Sequence, residues 1–390
     1  MSNFFVEEIT HFIKVQWNFH HVELTLNILR RVINLKMIFR WFGDGHDSIP
    51  LEHIRQIPGV TGVVTTFMDI PAGELWPLDR LKAMKEKVNL HGLEVEVIES
   101  VNVHEDIKLG LPSRDKYIEN YIETIKNLGE IGIKVLCYNF MPVLDWAKSN
   151  LEYKLEDGST TLSYNHDTIM NIEPKNLARQ FDAQSGGFEL PGWEPERLKV
   201  MTETIEAYKS ITTDMYWDNM KYFLDAVIPH AEKSDVKLAI HFDDPPWPLF
   251  GLPRVLSNAE NVRKFLNLNP SPYNGLTFCT GSIGADKEND VAKMIREFSA
   301  MGRVHFAHIR NIKFETEKDF YESAHLSEKG SFDMYEIMKA LSDTNFNGYV
   351  RPDHGRMIWG ESGRPGYGLY DRALGAVYLG GIWEALQKSK

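Results

Sequence analysis

Val350-Arg-Pro-Asp-His-Gly355 ends a short β-type run (Gly348, Tyr349, Val350) with an acid and an imidazole side by side, where a glycine releases the chain into a turn. Three earlier segments share the design, an apolar run ending in one side chain of metal-binding type: Val236-Lys-Leu-Ala-Ile-His241, Leu276-Thr-Phe-Cys279 and Val304-His-Phe-Ala-His308. Further runs at Ile38 to Phe42, Val60 to Thr66, Leu93 to Glu99 and Ile133 to Phe140 bring the number to eight. Helix-type patterns lie between most of them: Leu51 to Ile57, Leu78 to Asn89, Tyr117 to Leu128, Met215 to Ala231, Ala259 to Leu266, Asp290 to Met301 and Met334 to Leu341. Tyr370 to Leu386 closes the series. Continuous apolar runs suit strands buried on both faces. Eightfold alternation predicts an α/β fold closed as a (β/α)8 TIM barrel in preference to an open doubly wound sheet.

The rhythm is broken once. About a hundred residues separate Phe140 from Val236, too many for one crossover helix or a structureless loop. Leu151 to Leu155 and Thr160 to Tyr164 flank Asp157-Gly158 and read as a β-hairpin, with helical patterns following at Lys175 to Phe181 and Pro195 to Lys209. An insertion after a fourth strand, spanning 145–210, is expected over the barrel mouth as a lid or dimer surface. Residues 1–36 precede the repeating pattern and are expected to form an added helix or a disordered extension, with Met37 an alternative start. The remainder, 37–390, reads as one catalytic domain.

Composition narrows the class. With 43 Lys and Arg against 55 Asp and Glu, the formal net charge of −12 argues against general nucleic-acid binding, which rests on neutralising phosphates. No apolar run approaches the roughly 20 residues that span a bilayer, so a membrane partner is not expected. The two cysteines, Cys137 and Cys279, make no disulfide framework. With no secretory signal legible, a reducing, cytoplasmic setting is expected.

In a barrel the C-terminal ends of neighbouring strands converge, so His241, Cys279, His308 and Asp353 would meet at one mouth. A mixed N/S/O set suits Mn²⁺, Fe²⁺ or Zn²⁺ and is wrong for Ca²⁺ or Mg²⁺, which favour oxygen alone. A single cysteine in an apolar run is by itself usually a small buried hydrophobe; the shared position at four strand ends carries the reading. Cys137 lacks that position and reads as core. Arg40, Glu99, Asn139 and Arg310 end strands too: Glu99 and Asn139 as candidates for substrate hydroxyls, Arg40 and Arg310 for a carboxylate. Each could equally cap a loop or form a salt bridge. Asp243-Asp-Pro-Pro-Trp-Pro248 reads as a stiff pocket wall. Thr280-Gly-Ser-Ile-Gly284 is a weak candidate for an anion.

Several of these segments, read together, resemble the mannonate dehydratase family: Arg40-Trp41, Val63-Val-Thr65, Glu99-Ser100 with His104-Glu-Asp106, Cys137-Tyr-Asn-Phe-Met-Pro-Val-Leu-Asp-Trp146, His241 before Asp243-Asp-Pro-Pro246, Cys279-Thr-Gly-Ser282, His308-Ile-Arg310 and Arg351-Pro-Asp-His-Gly355. The resemblance runs from Met37 almost to the C-terminus and leaves out the first 36 residues. It implies a xylose-isomerase-like barrel that dehydrates D-mannonate to 2-dehydro-3-deoxy-D-gluconate with Mn²⁺ or Fe²⁺. It implies His241, Cys279, His308 and Asp353 as metal ligands, and His354 and Tyr367 as acid/base residues. The expected partners are a small sugar acid and a second copy of the chain. A metal-dependent sugar isomerase or epimerase, and a sugar-acid sensor without turnover, are the competing readings; an endonuclease would need a basic groove.

Overall fold

Strands that are apolar on both faces need a layer of helices outside and a packed interior, and closure provides both. The computed structural model describes residues 35–390, apart from positions 191 and 194. Its strands are β1 (Lys36–Arg40), β2 (Val60–Thr65), β3 (Glu94–Glu99), β4 (Val135–Tyr138), β5 (Asn150–Lys154), β6 (Thr160–Tyr164), β7 (Lys237–His241), β8 (Asn274–Cys279), β9 (Val304–Ile309), β10 (Asn311–Phe314), β11 (Phe320–Ser323) and β12 (Tyr349–Pro352). Eight of them close a parallel barrel in the order β1-β12-β9-β8-β7-β4-β3-β2. The expectations for residues 1–34 lie outside the described residues.

Alternation along each strand separates two cores. Phe39, Val63, Val95, Leu136, Leu238, Leu276 and their neighbours belong to the large core that includes the helices. A smaller cluster of Ile38, Val64, Val97, Cys137, Ala239, Phe306 and Tyr349 fills the barrel. Two residues beyond members of that cluster, on the same face, come Arg40, Glu99, Asn139, His241, His308 and Arg351. The apolar layer is the floor on which the polar mouth is laid.

The insertion begins with the expected hairpin, β5 and β6, followed by helices His166–Asn171, Pro174–Gln184 and Pro195–Tyr208 before the crossover helix Thr213–Lys233. Trp146 stacks on Phe181 at 5.3 Å, and Phe181 meets Trp193 at 4.6 Å. The connection between β9 and β12 holds a second hairpin, β10 and β11, that the sequence pattern did not show. The two hairpins join as one antiparallel sheet in the order β10-β11-β6-β5, with Phe320 opposite Tyr164. This sheet is tied to the loop after β12: Thr160 and Met357 exchange backbone hydrogen bonds, and Arg356 links Asp157 at 2.8 Å to Asp371 at 2.9 Å.

Parallel strands β2 and β3 approach closely at Gly62, where an added Cβ would lie 2.5 Å from the Glu94 carbonyl oxygen. That contact is backbone and cannot swing aside. Gly62→Ala should therefore destabilise the barrel by about 1–3 kcal/mol, the usual range for overpacking, seen as a lower urea midpoint with an unchanged slope.

Candidate metal centre and acid/base pair

β7, β8 and β9 are neighbours, and their last inward residues are His241, Cys279 and His308. Ligand atoms of these three lie within 4.8 Å of one another. Asp353, one residue past β12, brings Oδ2 to 3.5 Å from Cys279 Sγ. Three of the four proposed ligands thus cluster, with Asp353 set against Cys279, and their surroundings suit a cation. His241 Nδ1 donates to the Phe242 carbonyl at 2.7 Å, which turns the Nε2 lone pair toward the site. Both ring nitrogens of His308 are buried without a hydrogen-bond partner, and Asp353 Oδ1 is ion-paired with Arg351 NH2 at 2.7 Å. Burial works to raise the Cys279 thiol, but the Arg310 charge, followed by the neighbouring His241 and His308 imidazoles, brings it down to about 5, so it is a thiolate at neutral pH. Burial likewise opposes charge on Asp353, and Arg351, followed by His354, His308 and Arg310, holds it well below the usual carboxylate range.

Beside this cluster His354 Nε2 and the Tyr367 hydroxyl are 2.9 Å apart, the rings edge to face at 4.9 Å. Burial, reinforced by Asp353, pushes the Tyr367 phenol up to about 12, so it keeps its proton. The loop carrying Tyr367 is held by Arg372, which donates to the Gly368 carbonyl at 2.8 Å and to the Tyr367 carbonyl at 2.5 Å.

The four candidate substrate contacts part company. Glu99 Oε1 accepts from Arg351 at 2.9 Å; Oε2 stands 3.1 Å from His308 Nε2 without hydrogen-bond geometry. Arg40 donates to the Glu99 carbonyl, lies over the Phe42 ring at 4.3 Å, and leaves Nε unpartnered. Asn139 neighbours the Asp145 carboxylate and helps the Arg197 charge hold it below its usual range, and Asp145 pairs with Arg197 at 2.9 Å. Arg310 differs most from the expectation of a carboxylate clamp, because its guanidinium is taken up inside the protein. NH1 pairs with Glu322 and donates to His354 Nδ1 at 2.8 Å. NH2 donates to Asp244 at 2.6 Å and Ser282 at 2.9 Å, and Nε lies 3.2 Å from Asp353 Oδ2.

Sequence reasoning passed over Lys148 and Glu322, and read Asp244 only as pocket wall, Ser282 only within a weak anion candidate and Arg351 only within the Arg351-to-Gly355 motif. Asp244 is more than pocket wall: it binds Arg310, and Lys148 Nζ at 3.3 Å. Lys148 is also 3.3 Å from Glu322 Oε1, with all three side chains buried. Thr280–Ile283 forms a single helical turn on which Arg310 packs, close against Gly281.

A closed parallel barrel with imidazole, thiolate and carboxylate donors at its C-terminal mouth defines a barrel of xylose-isomerase-like type with a metal-capable site. A xylose isomerase domain protein from Planctomyces limnophilus shares that fold, with a TM-score of 0.51 at 13% identity over 91% of this chain and 99% of that one. The family model D-mannonate dehydratase (UxuA) matches residues 35–390. A mannonate dehydratase from Thermotoga petrophila is 58% identical over 356 residues, covering 91% of this chain and 99% of the relative. The crystal structure of mannonate dehydratase from Streptococcus suis serotype2 superimposes with a TM-score of 0.83 at 44% identity, covering 91% of this chain and 96% of that one. The chain belongs to the D-mannonate dehydratase family.

Lys148→Met should leave Asp244 and Glu322 buried with one cation fewer. Breaking a buried pair from one side costs about 3–5 kcal/mol. A fall of that size in unfolding free energy, measured with metal removed, is the expected result, against little change for Lys126→Met, which removes an exposed ion pair with Glu123.

Proposed function

We propose that this chain dehydrates D-mannonate to 2-dehydro-3-deoxy-D-gluconate and water, using Mn²⁺ or Fe²⁺ held by His241, Cys279, His308 and Asp353. The observation that supports the reading is the cluster of His241, Cys279 and His308, with Asp353 against Cys279, beside the His354–Tyr367 pair on a barrel of this family. A bound divalent ion supplies Lewis acidity toward the sugar acid, offsetting the charge that builds when a proton leaves carbon beside a carboxylate. The protein's own groups move the protons. His354 takes the C2 proton at Nε2, the C2–H electron pair enters a C2–C3 double bond, and the C3 hydroxyl leaves as water with the proton of Tyr367. The resulting enol becomes the 2-keto product. A phenol raised to about 12 is a poor base and a retained acid, which supports this division of roles.

Glu99 Oε2 and Arg40 Nε, buried without hydrogen-bond partners, are polar atoms available for substrate hydroxyls or carboxylate, and Asn139 is kept as a candidate beside them. Arg310 is left out of these contacts. The proposed setting is the cytoplasm and the proposed assembly a homodimer, with the insertion over the mouth. Both cysteines are free and buried, and no helix among the described residues is long and apolar enough to cross a membrane.

Metal-stripped protein resupplied separately with Mn²⁺, Fe²⁺, Zn²⁺ and Mg²⁺ tests the reading. The 2-keto-3-deoxy product should form with Mn²⁺ or Fe²⁺ and vanish in Asp353→Ala. Folded, loaded protein that yields no product with any ion would reject it, and C2 exchange with an epimeric sugar acid as the product would mark an epimerase instead.

Tyr367→Phe separates the two proton transfers. It should retain exchange of the C2 proton with solvent while losing dehydration by about 100-fold or more. Loss of exchange in that variant would reverse the roles of the pair.

A further inference from the structure

Glu322 reaches the site from β11, outside the barrel, and has no part in the mechanism above. Its side chain is fully buried, and Oε2 has no hydrogen-bond partner. Oε1 pairs with Arg310 and lies 3.3 Å from both Lys148 Nζ and His354 Nδ1. His354 Nδ1 therefore stands between a donor, Arg310 NH1 at 2.8 Å, and an acceptor, Glu322 Oε1. A neutral imidazole can answer only one of them at a time. If Nδ1 accepts from Arg310, the single ring proton is on Nε2, which then donates to Tyr367. If Nδ1 donates to Glu322, the Nε2 lone pair faces the site and the Tyr367 hydroxyl donates to it. Only the second form can take a proton from carbon.

We propose that Glu322 is the positioning residue that makes His354 a base, accepting its Nδ1–H and holding the ring so that Nε2 receives the C2 proton. The proposal rests on the dehydration reading above. In the step, the C2–H bond breaks, its electron pair enters the forming C2–C3 double bond, and the proton becomes the second ring proton of His354, with Nδ1–H still on Glu322. The arrangement follows the logic of a carboxylate behind a catalytic histidine, fixing tautomer and orientation without taking the proton. Burial disfavours charge on Glu322, and Arg310 followed by Lys148 overrides it, so the carboxylate is ionised where the ring needs it. Lys148 comes from the insertion, just before β5, and Glu322 from β11. The second sheet thereby acquires a role in the chemistry besides covering the mouth.

Glu322→Gln and Glu322→Asp are compared with the wild type as metal-loaded full-length protein, with rates expressed per folded, loaded molecule. The readouts are kcat and KM for D-mannonate and entry of solvent deuterium at C2. The glutamine variant keeps the volume and removes the charge. It should lower kcat and C2 exchange together by about 100-fold or more, with KM little changed. A structural role alone would reduce the yield of folded or loaded protein and leave kcat per loaded molecule at the wild-type value, and that result would overturn the proposal. If the glutamine variant does not fold, the aspartate variant is read in the same way, since it keeps a charge for Lys148 and Arg310 while withdrawing it from Nδ1. A loss of C2 exchange supports the positioning role, and wild-type exchange refutes it. Wild-type protein inactive on D-mannonate would be seen separately, in the control, as failure of the functional reading.

Discussion

The engagement of Arg310 with Glu322, Asp244, Asp353, His354 and Ser282 is the constraint on which the rest of the site depends. A guanidinium is planar, always charged, and presents five donors in a fixed fork, so a single buried arginine can set the relative positions of several acceptors. Here those acceptors come from β11, the loop after β7, the end of β12 and the turn after β8. The charge balance is local. Arg310 and Lys148 face Asp244 and Glu322, while Asp353 and the Cys279 thiolate lean on Arg310 and Arg351. An ion at the metal centre would add the cation that this excess of anions calls for.

The barrel makes such crowding affordable because its floor is dry. Ile38, Val97, Cys137, Ala239 and Phe306 sit one inward step below Arg40, Glu99, Asn139, His241 and His308. Strand parity leaves these polar residues no other face to occupy, and the apolar layer beneath them excludes water from below. The same parity explains Cys137, which reads as core and packs as core, although Glu99, Cys137 and His308 also bring potential ligand atoms within 4.8 Å. Burial pushes the Cys137 thiol well up, with the Glu99 charge acting in the same direction, which sets it apart from the thiolate of Cys279.

Two hairpins of different origin build one sheet outside the barrel. The β5–β6 hairpin was legible from Asp157-Gly158 between two β-type runs. The β10–β11 hairpin was not, because Asn311–Phe314 and Phe320–Ser323 are four residues each and mix charge with aromatics, too short to display a period. Missing that hairpin also hid Glu322. Lys148 and Asp244 were hidden for another reason: buried charges are recognised by their partners, and partners 96 residues apart leave no local trace.

Strand number and closure could be read from the chain alone, and so could the placing of His241, Cys279, His308 and Asp353 at strand ends. They follow from periodicity and from the rule that strand ends converge in a barrel, and both are local properties repeated along the sequence. The resemblance of the motifs to mannonate dehydratase named His354 and Tyr367 in the same way, residue by residue. Folding decided that the Arg310 guanidinium is engaged by acceptors of the protein itself, and that a carboxylate from a separate sheet stands beside His354 Nδ1. Each of these is a choice among charged partners brought together from distant segments, and electrostatic pairing in a buried site depends on distance and burial, quantities that exist only once the chain has closed.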